Sequence, residues 1–236
     1  MKRLLIIIIL FVTSLSYCQT AEEYIISGNY KDYLHDYQGA IADFSKAIEL
    51  SPNDSQAYVN RGHSKAKLKD YQGSIADYSK AIEINPNYSD AYVYRGLSKR
   101  DLQDYQGSIA DYSKAIEINP NYDEAYVYRG LSKTHIKDYQ GSIADYSKAI
   151  EINPNGAYAY YNRGDSKRNL QDYQGAIADI SKAIELSPNF IDAYYYRGLY
   201  KLKLNQSESA CLDFNKAKVL GSQEALEMIN KNCNKK

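Results

Sequence analysis

The sequence has no tryptophan, four phenylalanines and two methionines, yet it carries 26 tyrosines in 236 residues. A single aromatic type used this often occupies a fixed slot in a recurring unit rather than filling an ordinary core. Low-complexity and linker-like tracts are missing, so nothing of that kind divides the chain. Neither sign of charge dominates: 29 lysines and arginines stand against 29 aspartates and glutamates. No basic surplus therefore advertises nucleic acid, and long-range steering is not the device of this chain. The three histidines, His35, His63 and His135, fall at unrelated positions without metal-ligand spacing. Gly-x-Ser-x-Gly, a phosphate-cradling glycine loop and a nucleophile with an attendant base are also lacking. A non-enzyme that uses no metal and no cofactor is expected. What is present is apolar material enough for a sizeable core, 44% hydrophobic against 25% charged.

The one long apolar run is Leu4 to Val12, preceded by Lys2 and Arg3 and followed by Ser16 and Cys18 just before Gln19. This arrangement predicts a Sec-type signal peptide, residues 1–18, cleaved after Cys18, and hence a periplasmic or secreted product. A membrane-spanning helix needs about 20 mostly apolar residues, roughly twice this run. The alternative is a lipoprotein signal, with Leu15-Ser16-Tyr17-Cys18 as lipobox and Cys18 as the lipid-anchored residue, although Tyr17 is bulky where such signals use a small side chain. No transmembrane segment is expected in the mature chain.

Glycines at 28, 62, 96, 130, 164 and 198 and prolines at 52, 86, 120, 154 and 188 recur every thirty-four residues. Counted from Ala21, the repeat restarts at Ser55, Ser89, Asp123, Ala157 and Ile191, giving 21–54, 55–88, 89–122, 123–156, 157–190 and 191–224. Two helical patterns fill each repeat, in the second from about Ala57 to Leu68 and from Tyr71 to Ile84. Asp36, Asp70, Asp104, Asp138 and Asp172 stand where an N-cap belongs, able to accept an orphaned backbone N–H. Asn85-Pro86-Asn87 then stops the second helix. The fold class is all-α, one helical hairpin per repeat.

A thirty-four-residue helix-turn-helix with an aromatic, a glycine, small residues and a closing proline resembles the tetratricopeptide repeat, here of a bacterial exported type. The family's aromatic at the fourth place matches Tyr24, Tyr58, Tyr92, Tyr126, Tyr160 and Tyr194. Its glycine matches Gly28 through Gly198, and its proline Pro52 through Pro188. The small twentieth residue matches Ala40, Ser74, Ser108, Ser142, Ala176 and Ala210; the aromatic at twenty-four, Phe44, Tyr78, Tyr112, Tyr146 and Phe214; the alanine at twenty-seven, Ala47 through Ala217. Three departures stand out. The usual leucine at place seven is Arg61, Arg95, Arg129, Arg163 or Arg197, the usual aromatic at place eleven is always lysine, and Ile180 replaces one aromatic at place twenty-four. Leu68, Leu102, Ile136 and Leu170 are expected to give the first helix its apolar edge.

The resemblance implies a TPR α-solenoid over residues 21–224, because a lone hairpin cannot cover its own apolar face and must stack into a superhelix with a concave inner surface. Residues 225–236 follow as a C-terminal capping segment, its helix running from Ala225 to Asn232 with Leu226 and Ile229 turned toward the stack. Cys211 takes a place that holds isoleucine in the other five repeats, on the helix against which the cap should pack. A disulfide from Cys211 to Cys233 would pin the cap, closing a loop worth about 3 kcal/mol. Two buried free thiols are the alternative.

Between repeats, the second, sixth, ninth and thirteenth places of the first helix vary, and their spacing defines one helical face. That stripe reads Asp90, Tyr94, Leu97, Asp101 in the third repeat and Glu124, Tyr128, Leu131, His135 in the fourth. It continues as Tyr158, Asn162, Asp165, Asn169 in the fifth and Asp192, Tyr196, Leu199, Lys203 in the sixth. The resemblance implies that this face lines the concave groove, where tyrosine makes a good anchor for a protein or peptide partner. Packing of Tyr94, Tyr128 and Tyr196 between neighbouring first helices is the alternative. The carboxylate clamp of some family members is not expected: Asn29 and Asn60 match its asparagines, but Ile25, Asp90 and Tyr94 hold its cationic places. The lysine ladder, Lys31 through Lys201, and the aspartate ladder, Asp43 through Asp213, read as a solvated face crossed by ion pairs worth under about 1 kcal/mol each. The functional expectation is a protein–protein interaction scaffold, with a passive spacer or self-associating envelope component as the alternative.

Overall fold

Each hairpin turns on a residue that leaves the right-handed region. His35, Lys69, Gln103, Lys137, Gln171 and Asn205, one per repeat, have φ of 60 to 65°. None is glycine, and for a side chain bearing a Cβ this conformation costs about 1–2 kcal/mol. The turn offsets that cost with backbone bonds, Lys69 N donating to Ala66 O at 2.9 Å and Asp70 N to Lys65 O at 3.0 Å. Asp70 then caps the next helix, its carboxylate accepting from Gly73 N at 2.9 Å. The glycine is required, since a Cβ there would stand 2.1 Å from Oδ2, the other oxygen of the capping carboxylate. The same cap recurs at Asp36, Asp104, Asp138 and Asp172, as the sequence predicts.

The computed structural model describes residues 19–233. The expected signal peptide, with Cys18 and its lipid alternative, lies outside the described residues, as do the last three residues of the expected cap. Thirteen α-helices make up the described chain: α1 (Ala21–Tyr33), α2 (Tyr37–Leu50), α3 (Ser55–Lys67), α4 (Tyr71–Ile84), α5 (Ser89–Asp101), α6 (Tyr105–Ile118), α7 (Asp123–His135), α8 (Tyr139–Ile152), α9 (Ala157–Asn169), α10 (Tyr173–Leu186), α11 (Ile191–Lys203), α12 (Ser207–Val219) and α13 (Gln223–Asn232). No strand occurs among the described residues, and no helix among them is long and apolar enough to cross a membrane.

The helices form two compact units, one reaching to Ser98 and one starting at Lys99. In the first, α1–α2 and α3–α4 are antiparallel hairpins packed in succession, with Val59, Tyr78, Ala81 and Ala91 as a buried cluster. In the second, the hairpins α7–α8, α9–α10 and α11–α12 follow one another in the stacking of an α-solenoid, and α13 packs on α12. Close approach within a hairpin depends on the glycine at place eight: a Cβ at Gly62 would lie 2.8 Å from the Tyr78 ring, and one at Gly198 2.6 Å from Phe214.

Two sequence expectations change here. Leu68, Leu102, Ile136 and Leu170 stand just beyond the helix in the turn and remain 38–41% exposed, so they are no apolar edge. In α13 the buried pair is Ala225 and Ile229, joined by Met228. Leu226 is 39% exposed, because one residue is about 100° of helix and only one of these neighbours can face α12. Cys211 and Cys233 are joined in a disulfide with Cα atoms 5.7 Å apart.

Candidate partner-binding groove

The arginines that depart from the expected leucine at place seven set the orientation of the first helices. Arg163 grips Asp179 with two parallel bonds, Nε to Oδ2 at 2.9 Å and Nη2 to Oδ1 at 2.6 Å. Its third nitrogen, Nη1, donates to Ser147 Oγ of the preceding repeat at 3.1 Å. Lys167 Nζ lies 2.8 Å from the same carboxylate, and the guanidinium sits 5.6 Å over the Tyr160 ring. The arrangement repeats around Arg61 with Asp77, Ser45, Lys65 and Tyr58. It recurs around Arg129 with Asp145, Ser113, Lys133 and Tyr126, and around Arg197 with Asp213, Ser181, Lys201 and Tyr194. In the first repeat Ser27 Oγ replaces the arginine, 2.6 Å from Asp43.

These pairs overturn the reading of the two ladders as a solvated face. Asp77, Asp111, Asp145, Asp179 and Asp213 are buried, 3–6% exposed, so each needs its bidentate, charge-assisted partner, and removing one side would strand a buried charge at far greater cost than at the surface. The signal was present in the sequence: cations at places seven and eleven share a helical face, and an aspartate is constant at place twenty-three. Places seven and eleven lie roughly 150° round the helix from the centre of the variable stripe. Anchoring them on the second helix turns the stripe the other way.

In the first unit, Asp90 and Tyr94 line a hollow of about 290 Å³ with Val59, Asn60, His63 and Tyr88. The Tyr94 ring is 5.8 Å from Tyr78 and 6.1 Å from His63, and burial pushes the His63 imidazole below its ordinary value, opposed by Asp32. Leu97 is half-buried.

In the second unit, five stripe residues from two successive first helices converge. Glu124, Tyr128 and Leu131 of α7 and Tyr158 and Asn162 of α9 line one open hollow of about 410 Å³, floored by Val127, Ala149 and Ala159. Tyr158 is 69% exposed at its edge. Tyr128 also packs, its ring 5.9 Å from Tyr112, so packing and lining are not alternatives for this residue. Tyr196 and Leu199 line a second hollow of about 550 Å³ with Lys203, Tyr200, Met228 and Lys231.

The remaining stripe residues do other things. His135 stacks on Tyr105 at 4.5 Å with the rings nearly parallel. Asp165 accepts from Arg168 Nη2 at 2.6 Å and from Tyr200 Oη at 3.0 Å; burial, with Asp165 beside it, pushes the Tyr200 phenol up. Asn169 donates to Asp165 O at 3.0 Å. Asp101 and Asp192 are exposed outside these hollows. Met228 and Lys231, which the stripe did not include, come from α13 and became neighbours of α11 only through the docking of the cap.

Models of the tetratricopeptide repeat match residues 21–54, 55–88, 157–190 and 180–211, and a TPR repeat model matches 96–133 and 136–170. No curated protein matches the chain. Among solved structures, MamA is similar at 27% identity and TM-score 0.65, over 70% of this chain and 96% of its own. YrrB, described as a TPR protein with an unusual peptide-binding site, is similar at 21% identity and TM-score 0.67, over 80% of this chain and 97% of its own. A tetratricopeptide repeat protein from Parabacteroides merdae reaches 23% identity and TM-score 0.66, over 94% of this chain and 88% of its own.

Proposed function

Because the chain belongs to the tetratricopeptide repeat family, whose fold typically mediates protein–protein contacts on non-catalytic scaffolds, we propose that it holds a partner polypeptide on the variable face of its first helices. Residues 21–224 act as six repeats and 225–236 as the cap, and no reaction is catalysed. The observation that carries this reading is the meeting of Glu124, Tyr128, Leu131, Tyr158 and Asn162 at one hollow of about 410 Å³. These are the places that vary freely between repeats, while the aspartate, glycine and alanine of the packing and ion-pair places recur in all six. An open apolar floor with tyrosines at its edge suits one or two side chains of an extended or helical peptide. The peptide-binding site named for YrrB is consistent with such a use. The working place is an exported, oxidising compartment, in keeping with the Cys211–Cys233 disulfide and with residues 1–18 as signal peptide.

Affinity capture from the native envelope, with mass spectrometry of what co-purifies, tests the reading. Leu131→Ala is expected to abolish capture at unchanged thermal stability, and Tyr128→Ala to abolish it with only the modest loss of stability that its contact with Tyr112 entails. Equal loss of both would make these residues packing elements only. A second reading, the passive spacer, draws on the identity of residues 104–119 with 138–153. Size-exclusion chromatography of the native chain would then find it with no captured ligand.

A further inference from the structure

The hollow beside the cap differs in charge from the hollow between α7 and α9. Asp123 and Glu124 stand on the lining of the latter, with no cation. The former is lined by Arg168, Lys203 and Lys231 with no acid. Arg168 is engaged by Asp165 at 2.6 Å. Lys203 and Lys231 are exposed and form no ion pair among the described residues. Two ammonium groups therefore flank a floor made by Tyr196, Leu199 and Met228, and the second of them arrives from outside the repeats, on the helix that the disulfide holds.

We propose that this cavity of about 550 Å³ receives an acidic segment of the partner, one carrying carboxylates next to an aliphatic or aromatic side chain. The inference rests on the groove reading above and adds to it the chemistry of the ligand. The apolar side chain lies on Tyr196, Leu199 and Met228, and the carboxylates sit between Lys203 and Lys231. With the charge of Arg168 matched by Asp165, the two remaining ammonium groups beside an apolar floor are the complement of such a segment and repel a basic one. Since both lysines are exposed, the attraction weakens as salt shortens the Debye length.

Fluorescence anisotropy on the intact purified chain tests this with two labelled probes of equal length, one alternating leucine and glutamate, the other leucine and lysine. The acidic probe is expected to bind more tightly, with affinity falling as salt rises. Combined Lys203→Glu and Lys231→Glu should weaken the acidic probe by about tenfold or more at an unchanged melting temperature, while Lys218→Glu, exposed on α12 outside both hollows, leaves it unaffected. Equal binding of the two probes, or no response to the charge reversal, overturns the acidic assignment. If in that case Tyr128→Ala abolishes peptide binding, the groove reading survives; if neither probe binds and native capture is empty, both fall.

Discussion

At the scale of single residues, Tyr112 and Arg163 differ in how well their polar groups are satisfied. Tyr112 Oη is the one buried side-chain polar atom among the described residues without a hydrogen-bond partner. The equivalent Tyr146 Oη lies 3.5 Å from Thr134 Oγ1, and Phe44 and Phe214 fill the slot elsewhere. A buried hydroxyl that makes no bond is a net cost, so Tyr112→Phe should stabilise by about 1 kcal/mol in urea unfolding and Tyr146→Phe should not. The reverse order would contradict the assignment. Arg163→Leu restores the side chain usual in the family but strips Asp179 of its bidentate partner. With Lys167 still 2.8 Å away, the expected loss is about 2–3 kcal/mol. Adding Asp179→Ala should recover part of it, and a double-mutant cycle showing no coupling would rule the pair out as an anchor.

Among the elements, the hairpin turns and the cap are the testable parts. Lys137 has φ of 64°, a conformation that glycine adopts freely, so Lys137→Gly should stabilise by about 0.5 kcal/mol despite the added unfolded-state entropy. Asn205, at 60°, tolerates this region better and should gain nothing. Asp138 accepts from Gly141 N at 2.9 Å, and Asp138→Ala should cost about 1 kcal/mol. In thermal melts these two changes should therefore have opposite sign, one residue apart. The cap is held to α12 by Ala225, Ile229 and the disulfide. Cys211→Ser with Cys233→Ser should free α13, raising amide exchange across 223–232 while α7 and α8 keep their protection, at a cost of about 3 kcal/mol. Uniform loss of protection would mean that the cap is not a separate cooperative element.

For the molecule as a whole, the excess of tyrosine becomes a limit on alkaline stability. Burial pushes the phenols of Tyr78, Tyr112, Tyr146, Tyr161 and Tyr200 above their ordinary value of 10. Above that pH the unfolded chain releases these protons before the folded one does, so the folded state binds more protons and its stability falls as pH rises. The contribution is complete below pH 10 and lost progressively above it. Phenolate absorbance and helical circular dichroism should therefore change together in an alkaline titration. Full ionisation with intact helices would show that these rings are not buried in solution.

The thirty-four-residue period, the hairpins, the aspartate caps and the pairing of Cys211 with Cys233 were all legible in the sequence. The first three are local or repeated, since a cap spans three residues and six registered copies amplify a weak pattern; the disulfide was legible because only two cysteines follow residue 18. The pairing of Asp179 left a trace in the sequence, the cations at places seven and eleven, but the depth of its burial, the exposure of Leu226 and the separation of His135 and Asp165 from the hollow at Tyr128 were decided by tertiary structure. Helical periodicity fixes the angle of a side chain about its own axis. It says nothing of how far apart two axes lie, and that distance determines whether Tyr128 and Tyr158 share a cavity or a lysine reaches a carboxylate on the next helix.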